Sequence, residues 1–188
     1  EQSENIVTRL DVNGAEGVTI RDVNPTGTNK LIDLSYFMNT GNFPQTLIDK
    51  YNAWEAACDE YRETYYQDSI AYSLAVAREV AERAALVDLQ GELTSIENIQ
   101  AVAIEGIAQG IAAQDDLDEA NAQLAEKQAE VDAKQADVDA AAQDAAELLE
   151  EMKSITQQCS FETQFTADEL KMLDKYLIDG DISDSSFV

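Results

Sequence analysis

Between Leu117 and Met152 an apolar residue or Ala returns at every seventh place (Leu117, Leu124, Val131, Val138, Ala145, Met152), in a stretch that contains no Gly, no Pro and no aromatic residue. A seven-residue period keeps one stripe of a slightly under-wound helix turned towards a partner, so this stretch is a coiled-coil seam. The repeat reaches the level of identity: Glu126-Lys127-Gln128-Ala129-Glu130-Val131-Asp132 is followed by Ala133-Lys134-Gln135-Ala136-Asp137-Val138-Asp139. Helices of this kind build, space or dock; they rarely carry chemistry.

A partner for that seam lies upstream. Asn42-Phe43-Pro44-Gln45 reads as a helix start, with Asn as cap, Pro in the first turn where its missing N–H is harmless, and Gln in the capping-box place. From there Leu47, Tyr51, Trp54, Cys58, Tyr61 and Tyr65 recur at steps of four and three, and the stripe continues through Tyr72, Val76, Val80 and Arg83 to Leu86. Gly91 offers a stop, and Thr94-Ser95-Ile96-Glu97 reads as a fresh capping box opening a short helix over 94–105, which ends near Gly106 or Gly110. The downstream helix opens at Gln114-Asp115-Asp116-Leu117-Asp118-Glu119, whose carboxylates suit the helix dipole. Taken as 43–88 and 112–157, the two long helices have equal lengths of roughly 69 Å and predict an antiparallel hairpin. The first carries Trp54 and five of the seven tyrosines, the second only Ala, Val, Leu, Ile and Met, so large side chains face small ones. With residues 43 and 157 facing each other, Cys58 lies opposite residue 142 or so, about 17 positions and roughly 25 Å from Cys159. That separation predicts two unbonded cysteines.

The first forty residues read differently. Ile6, Thr8, Leu10 and Val12 alternate with Val7, Arg9 and Asp11, Asn13-Gly14 supplies a turn, and Val18-Thr19-Ile20 resumes, which predicts a β-hairpin. Asn24-Pro25-Thr26-Gly27 is a second turn, and Lys30 to Asp33 adds a short strand. So few strands must lean on something else, such as a sheet truncated upstream. After the hairpin, Cys159 to Phe165 alternates as an extended link. Thr166-Ala167-Asp168-Glu169 is another capping box, Leu170, Leu173, Tyr176 and Leu177 give one apolar face, and Gly180 ends that helix.

Composition excludes whole classes of function. The 38 acidic residues against 12 basic ones give a formal charge of -26, which repels phosphate backbones and anionic lipid surfaces. Nucleic-acid binding and membrane insertion are not expected. The start, Glu1-Gln2-Ser3-Glu4-Asn5, has neither Met nor a charged-then-apolar signal, and the chain reads as a piece of a longer protein. There is no His, which removes the usual triads, imidazole metal sites and the commonest general base. Nothing marks a carboxylate pair for glycoside hydrolysis. Asp179-Gly180-Asp181-Ile182-Ser183-Asp184 is a poor calcium loop, without Gly at the sixth place or a twelfth-position Glu, and reads as a helix end followed by an acidic turn. Gly106-Ile107-Ala108-Gln109-Gly110 has a close-approach spacing, but the acidic residues that follow make it a turn between helices. The Tyr and Trp stripe fits core packing better than a sugar platform. No catalytic, cofactor-binding or metal-ligating residue is therefore assigned, and no cofactor is expected.

Both ends of the chain resemble one family, the tail-tip minor structural proteins, or tail-associated lysins, of siphophages and prophages of Gram-positive bacteria. The N-terminal likeness lies in Asn5-Ile6-Val7-Thr8-Arg9-Leu10, Gly14, Val18-Thr19-Ile20, Val23-Asn24-Pro25-Thr26-Gly27 and Ile32-Asp33-Leu34-Ser35-Tyr36-Phe37-Met38; Asp11 stands where the family commonly has Tyr. The C-terminal likeness runs from Gln164-Phe165-Thr166-Ala167-Asp168-Glu169-Leu170 through Leu173 and Tyr176 to Gly180. The resemblance implies a viral structural protein of the virion tail, part of the tail tip or baseplate hub, involved in tail assembly and host attachment. It further implies a homotrimeric full-length protein contacting other phage tail proteins and the host cell surface. The family's peptidoglycan-cleaving part is a separate C-terminal domain, not recognisable here, so this fragment is not expected to be an enzyme. The alternatives are a non-catalytic part of a tail-associated hydrolase and a coiled-coil adhesin or receptor-binding module.

The expected fold is α+β and mainly α: a long antiparallel helical hairpin over 43–158 inserted in a small β-containing base formed by 1–42 and 159–188.

Overall fold

The computed structural model describes residues 6–13, 19–41 and 43–183. Its elements run β1 (Arg9–Asn13), β2 (Lys30–Ile32), α1 (Ser35–Met38), α2 (Gln45–Gln109), α3 (Gln114–Cys159), α4 (Phe161–Gln164), α5 (Ala167–Leu173), a 3-10 turn over Asp174–Tyr176, and β3 (Asp179–Ser183). The fold is mainly helical, two long antiparallel helices with a small three-stranded sheet, as the sequence predicts. The chain forms two compact units, one from Glu1–Ala71 with Leu148–Val188, the other from Tyr72–Glu147.

In the first unit the sheet has the order β2-β1-β3. β1 pairs antiparallel with β2, Leu10 facing Leu31, and parallel with β3, Leu10 facing Gly180. The tail thus returns to the N-terminal strands. Asn13 and Thr19 form an antiparallel bridge, consistent with a chain reversal between them; the Asn13-Gly14 turn itself lies outside the described residues, as does the Asn42 cap. The second turn is as predicted: the Gly27 N–H donates to the Asn24 carbonyl at 2.8 Å, and Gly27 takes φ +66°. A Cβ there would lie 2.8 Å from Cγ2 of Thr156, so glycine both forms the turn and lets it rest on α3.

Two expectations for this unit are corrected. Cys159 to Phe165 is not an extended link: Phe161–Gln164 is a helical turn, because Phe161 and Phe165, four apart, both reach the core. The segment around Gly180 is not a helix end followed by an acidic turn. The α5 helix finishes at Leu173 and residues 179–183 are a strand, with Gly180 required because a Cβ would lie 2.5 Å from Cγ1 of Val7. The Gln45 amide donates forward to Asp49 at 2.8 Å, while its expected capping-box partner, Asn42, lies outside the described residues.

The core of this unit is the predicted stripe of α2, Leu47, Tyr51, Trp54, Cys58 and Tyr65, packed with Leu34, Met38, Ile155, Cys159, Phe161, Phe165 and Leu173. The aromatic rings continue from one element to the next: Tyr51 to Trp54 at 5.3 Å between centroids, Trp54 edge-on to Phe161 at 5.1 Å, Phe161 to Phe165 at 4.8 Å. The Tyr51 hydroxyl donates to the Ile32 carbonyl and accepts from the Leu34 N–H, fixing the β2–α1 junction on α2. The α5 capping box is complete, Thr166 and Glu169 each taking the other's backbone N–H.

In the second unit the heptad seam of α3 faces α2 as predicted: Val131, Val138, Ala141 and Ala145 are buried, and Leu86, Leu89 and Leu93 pack against Val131 and Val138. On α2, however, the seam does not run through Val80 and Arg83, which are exposed. It keeps the seven-residue step Tyr72, Glu79, Leu86, Leu93, all at least partly buried, at the cost of placing the acidic Glu79 within the stripe. The short helix over 94–105 is also corrected, because α2 is continuous from Gln45 to Gln109. Gly91 costs the helix only about 1 kcal/mol, and the hydroxyls of Thr94 and Ser95 donate back to the carbonyls of Gln90 and Gly91 at 3.0 Å instead of capping a new helix.

Candidate functional site

A longer α2 changes which residues meet. In the first unit the Tyr61 hydroxyl donates to Gln158, the Trp54 indole N–H donates to the Cys159 carbonyl at 2.9 Å, and Cys58 sits beside Cys159, its Sγ 3.8 Å from the Cys159 carbonyl oxygen. The roughly 25 Å separation of the 43-to-157 register is therefore overturned. Both cysteines are nevertheless free thiols, and buried. Burial pushes the Cys58 thiol up to about 12 and the Cys159 thiol up as well, so neither is a thiolate near neutral pH.

Cys58 lies at one wall of a cleft of about 810 Å³ between the Asn24–Thr28 turn, α2, α4 and α5. Arg9, Lys30, Arg62 and Lys171 line it together with Glu55, Asp59, Glu162 and Asp174, so its charge is balanced. Three titratable groups of this unit, outside the cleft lining, are moved from their usual values. Burial raises the Tyr51 phenol, the hydrogen bond from Arg9 lowers Asp179, and the hydrogen bond from Lys50 lowers Glu169. Asp179, the first residue of the segment read in the sequence as a poor calcium loop, is paired with the Arg9 guanidinium, whose Nη2 is 2.7 Å from Oδ2. No group of three His, Cys, Asp or Glu side chains able to hold a metal occurs among the described residues. No helix among them is long and apolar enough to cross a membrane. A carboxylate paired with a cation, a buried thiol and a buried phenol each help to hold this unit together.

The second unit offers surface of another kind. Two lysines, Lys127 and Lys134, each three residues after a seam residue of α3 (Leu124 and Val131), reach across to Glu92 at 2.8 Å and Glu82 at 2.9 Å. Hydrogen bonds to Glu130 and Glu92 raise the Lys127 ammonium, and those to Glu82 and Asp137 raise Lys134, so both stay charged while their methylene stems cover the seam. Gln100 and Asn121 bond across the same pair of helices at 2.6 Å.

At the turn between the helices the Gly106 carbonyl accepts from the Ile111 N–H at 2.9 Å, and the Ile107 carbonyl from the Gly110 N–H at 3.0 Å. With Gly110 at φ +73°, this is a Schellman motif. A Cβ on Gly106 would come 2.8 Å from the Ala112 methyl, so the glycine lets the returning chain close on α2. A shallow groove of about 490 Å³ opens here, lined by Ile99, Val102, Ala103, Gly106, Ile111 and Ala112, with Glu105 and Asp116 at its rim. Its apolar side chains were not singled out in the sequence; the signal available there was a set of large apolar residues off the seam.

No known protein family, characterised protein or solved structure matches this chain.

Proposed function

We propose that this chain is a structural part of the tail tip or baseplate hub of a phage or prophage of a Gram-positive bacterium, and not an enzyme. The observation that carries the reading is the meeting of the two stretches that bear the family resemblance. Arg9 and Leu10 stand in β1 beside Asp179 and Gly180 of β3, and Leu34, Met38, Phe165 and Leu173 share one core. Segments separated by the whole helical hairpin in sequence thus make one small base, as a shared ancestral module would.

In this role the base joins the hub of a trimeric full-length protein, and the hairpin presents helical surface to neighbouring tail proteins. The test is immunogold electron microscopy, with antibody raised against this chain, of particles released on prophage induction of the bacterium that encodes it. Gold at the distal end of the tail is expected. Particles without label from cells that contain the protein would overturn the proposal. Zymography of the purified chain on Gram-positive cell walls should give no clearing; clearing abolished by substitution of a single acidic residue would replace the scaffold reading with an enzymatic one.

A further inference from the structure

Four large apolar side chains near the hairpin turn, Ile99, Val102, Ile104 and Ile111, stand in solvent, and three of them belong to one concavity. Ile99, Val102 and Ile111 of the groove are 55%, 70% and 79% exposed. They are held in place by the Schellman turn and by the close contact of Gly106 with Ala112, so the groove exists before any partner arrives. Its apolar floor suits side chains spaced along one face of a helix.

Charge decides what that helix is. From residue 84 to residue 126 there is no Lys or Arg, while Asp88, Glu92, Glu97, Glu105, Asp115, Asp116, Asp118, Glu119 and Glu126 are all acidic. Glu105 and Asp116 stand on the rim of the groove itself. A second copy of a chain with formal charge -26 meets this rim with like charge, as does an anionic membrane. A segment with Lys or Arg flanking its apolar face meets opposite charge and gains burial of the exposed Ile and Val side chains.

We propose that the groove formed by Ile99, Val102, Gly106, Ile111 and Ala112 is a docking site for a basic amphipathic helix of another protein. The inference does not rest on the tail-tip reading, since it uses only the apolar floor and the acidic rim of the second unit.

The test is fluorescence anisotropy with the full chain and a labelled synthetic helical peptide of Leu and Lys, Leu on one face, alongside a control peptide in which Ser replaces every Leu. The Leu/Lys peptide is expected to bind, more weakly as salt is raised, and the Ser/Lys peptide to bind at least about tenfold more weakly. Val102→Ser with Ile111→Ser should weaken the Leu/Lys peptide by about tenfold or more, whereas Val87→Ser, equally exposed outside the groove, should change it by less than about twofold. The substituted side chains face solvent, and unchanged helical circular dichroism checks that folding is intact; Ile99→Ser is an independent second variant, and Glu105→Gln should reduce the salt dependence. Equal affinity of both peptides, equal binding by the groove variants, or no binding at all would overturn the proposal. So would a concentration-dependent dimer of the chain that the groove substitutions abolish.

Discussion

Tyr51 and Tyr61 lie on the same helix and each donates one hydroxyl hydrogen bond, yet removal of that hydroxyl should have different consequences. The Tyr51 ring is 1% exposed, and its oxygen accepts from the N–H of Leu34, a residue with no exposed surface, at 3.2 Å. Phenylalanine fills the same space, so Tyr51→Phe opens no cavity; it orphans one buried N–H and frees the Ile32 carbonyl, which lies in a partly exposed residue. A buried donor left without a partner costs about 1–3 kcal/mol, which corresponds to roughly 5- to 150-fold in the unfolding equilibrium. The Tyr61 hydroxyl meets Gln158 in an exposed position, where water replaces the lost partner, so Tyr61→Phe should cost less than about 0.5 kcal/mol. Urea unfolding followed by the fluorescence of Trp54, the single tryptophan of the chain and a neighbour of Tyr51 in the core, reports on this unit alone. The two variants should share the wild-type slope and differ in midpoint. A Tyr51→Phe midpoint equal to wild type, or a Tyr61→Phe loss as large as that of Tyr51→Phe, would refute the reasoning.

Glycine substitutions in the second unit should have opposite signs. Gly91→Ala, in mid-helix with open space around it, should raise stability by up to about 1 kcal/mol, and Gly110→Ala, at φ +73°, should lower it by about 1–2 kcal/mol, both read by thermal circular dichroism. Val131→Asp should destabilise that unit by several kcal/mol through an unpaired charge in the seam, whereas Asp132→Asn, off the seam, should melt within a degree or two of wild type; equal melting of the pair would refute the register. Asp179 and Glu169 have lowered folded-state values, so the stability they contribute is present above the unfolded carboxylate range near pH 4 and lost as pH falls through those lowered values. Asp179→Asn should flatten that part of the acid-unfolding curve. Cys58 and Cys159, buried and un-ionised, should resist iodoacetamide at neutral pH until denaturant is added; peptide mapping after alkylation reads both sites, and because the Cys58 value rises from 9.0 to about 12, stability should fall as pH climbs through that interval.

What the sequence made legible was periodic or local. The α3 seam could be read because its heptads repeat almost by identity, the Asn24–Gly27 turn because Pro and Gly fix its dihedrals, and the α5 cap because Thr166 and Glu169 satisfy each other three residues apart. The α2 helix was misread where local signals compete with a helix already formed: Gly91 and the Thr94-Ser95-Ile96-Glu97 box can end a helix, but inside a continuing hydrogen-bond ladder the same hydroxyls bond backwards. That error moved the turn and with it every facing pair, which is why Cys58 and Cys159 meet. The β3 strand was hidden for another reason, since its strand partner β1 stands at the opposite end of the chain. The groove at the turn was missed because attention to the seam discards apolar residues lying off it, and the long run without a cation gains meaning only when Ile99, Val102 and Ile111 are seen to share a surface.

The pairing of β1 with β3 also sets a clock on biosynthesis. Arg9 finds Asp179 170 residues later, so at ribosomal rates of about 5–20 residues per second the first strand waits roughly 10–30 s for its parallel neighbour to be made. Residues 72–147 are all made before Asp179, and their seam contacts, such as Leu86 with Val131, close shorter loops than the 170 positions between Arg9 and Asp179, which favours formation of the helical hairpin first. The emerging chain therefore carries an unpaired β1 edge through most of its own translation, and the acidity of the residues that follow keeps neighbouring nascent chains apart while that edge is open.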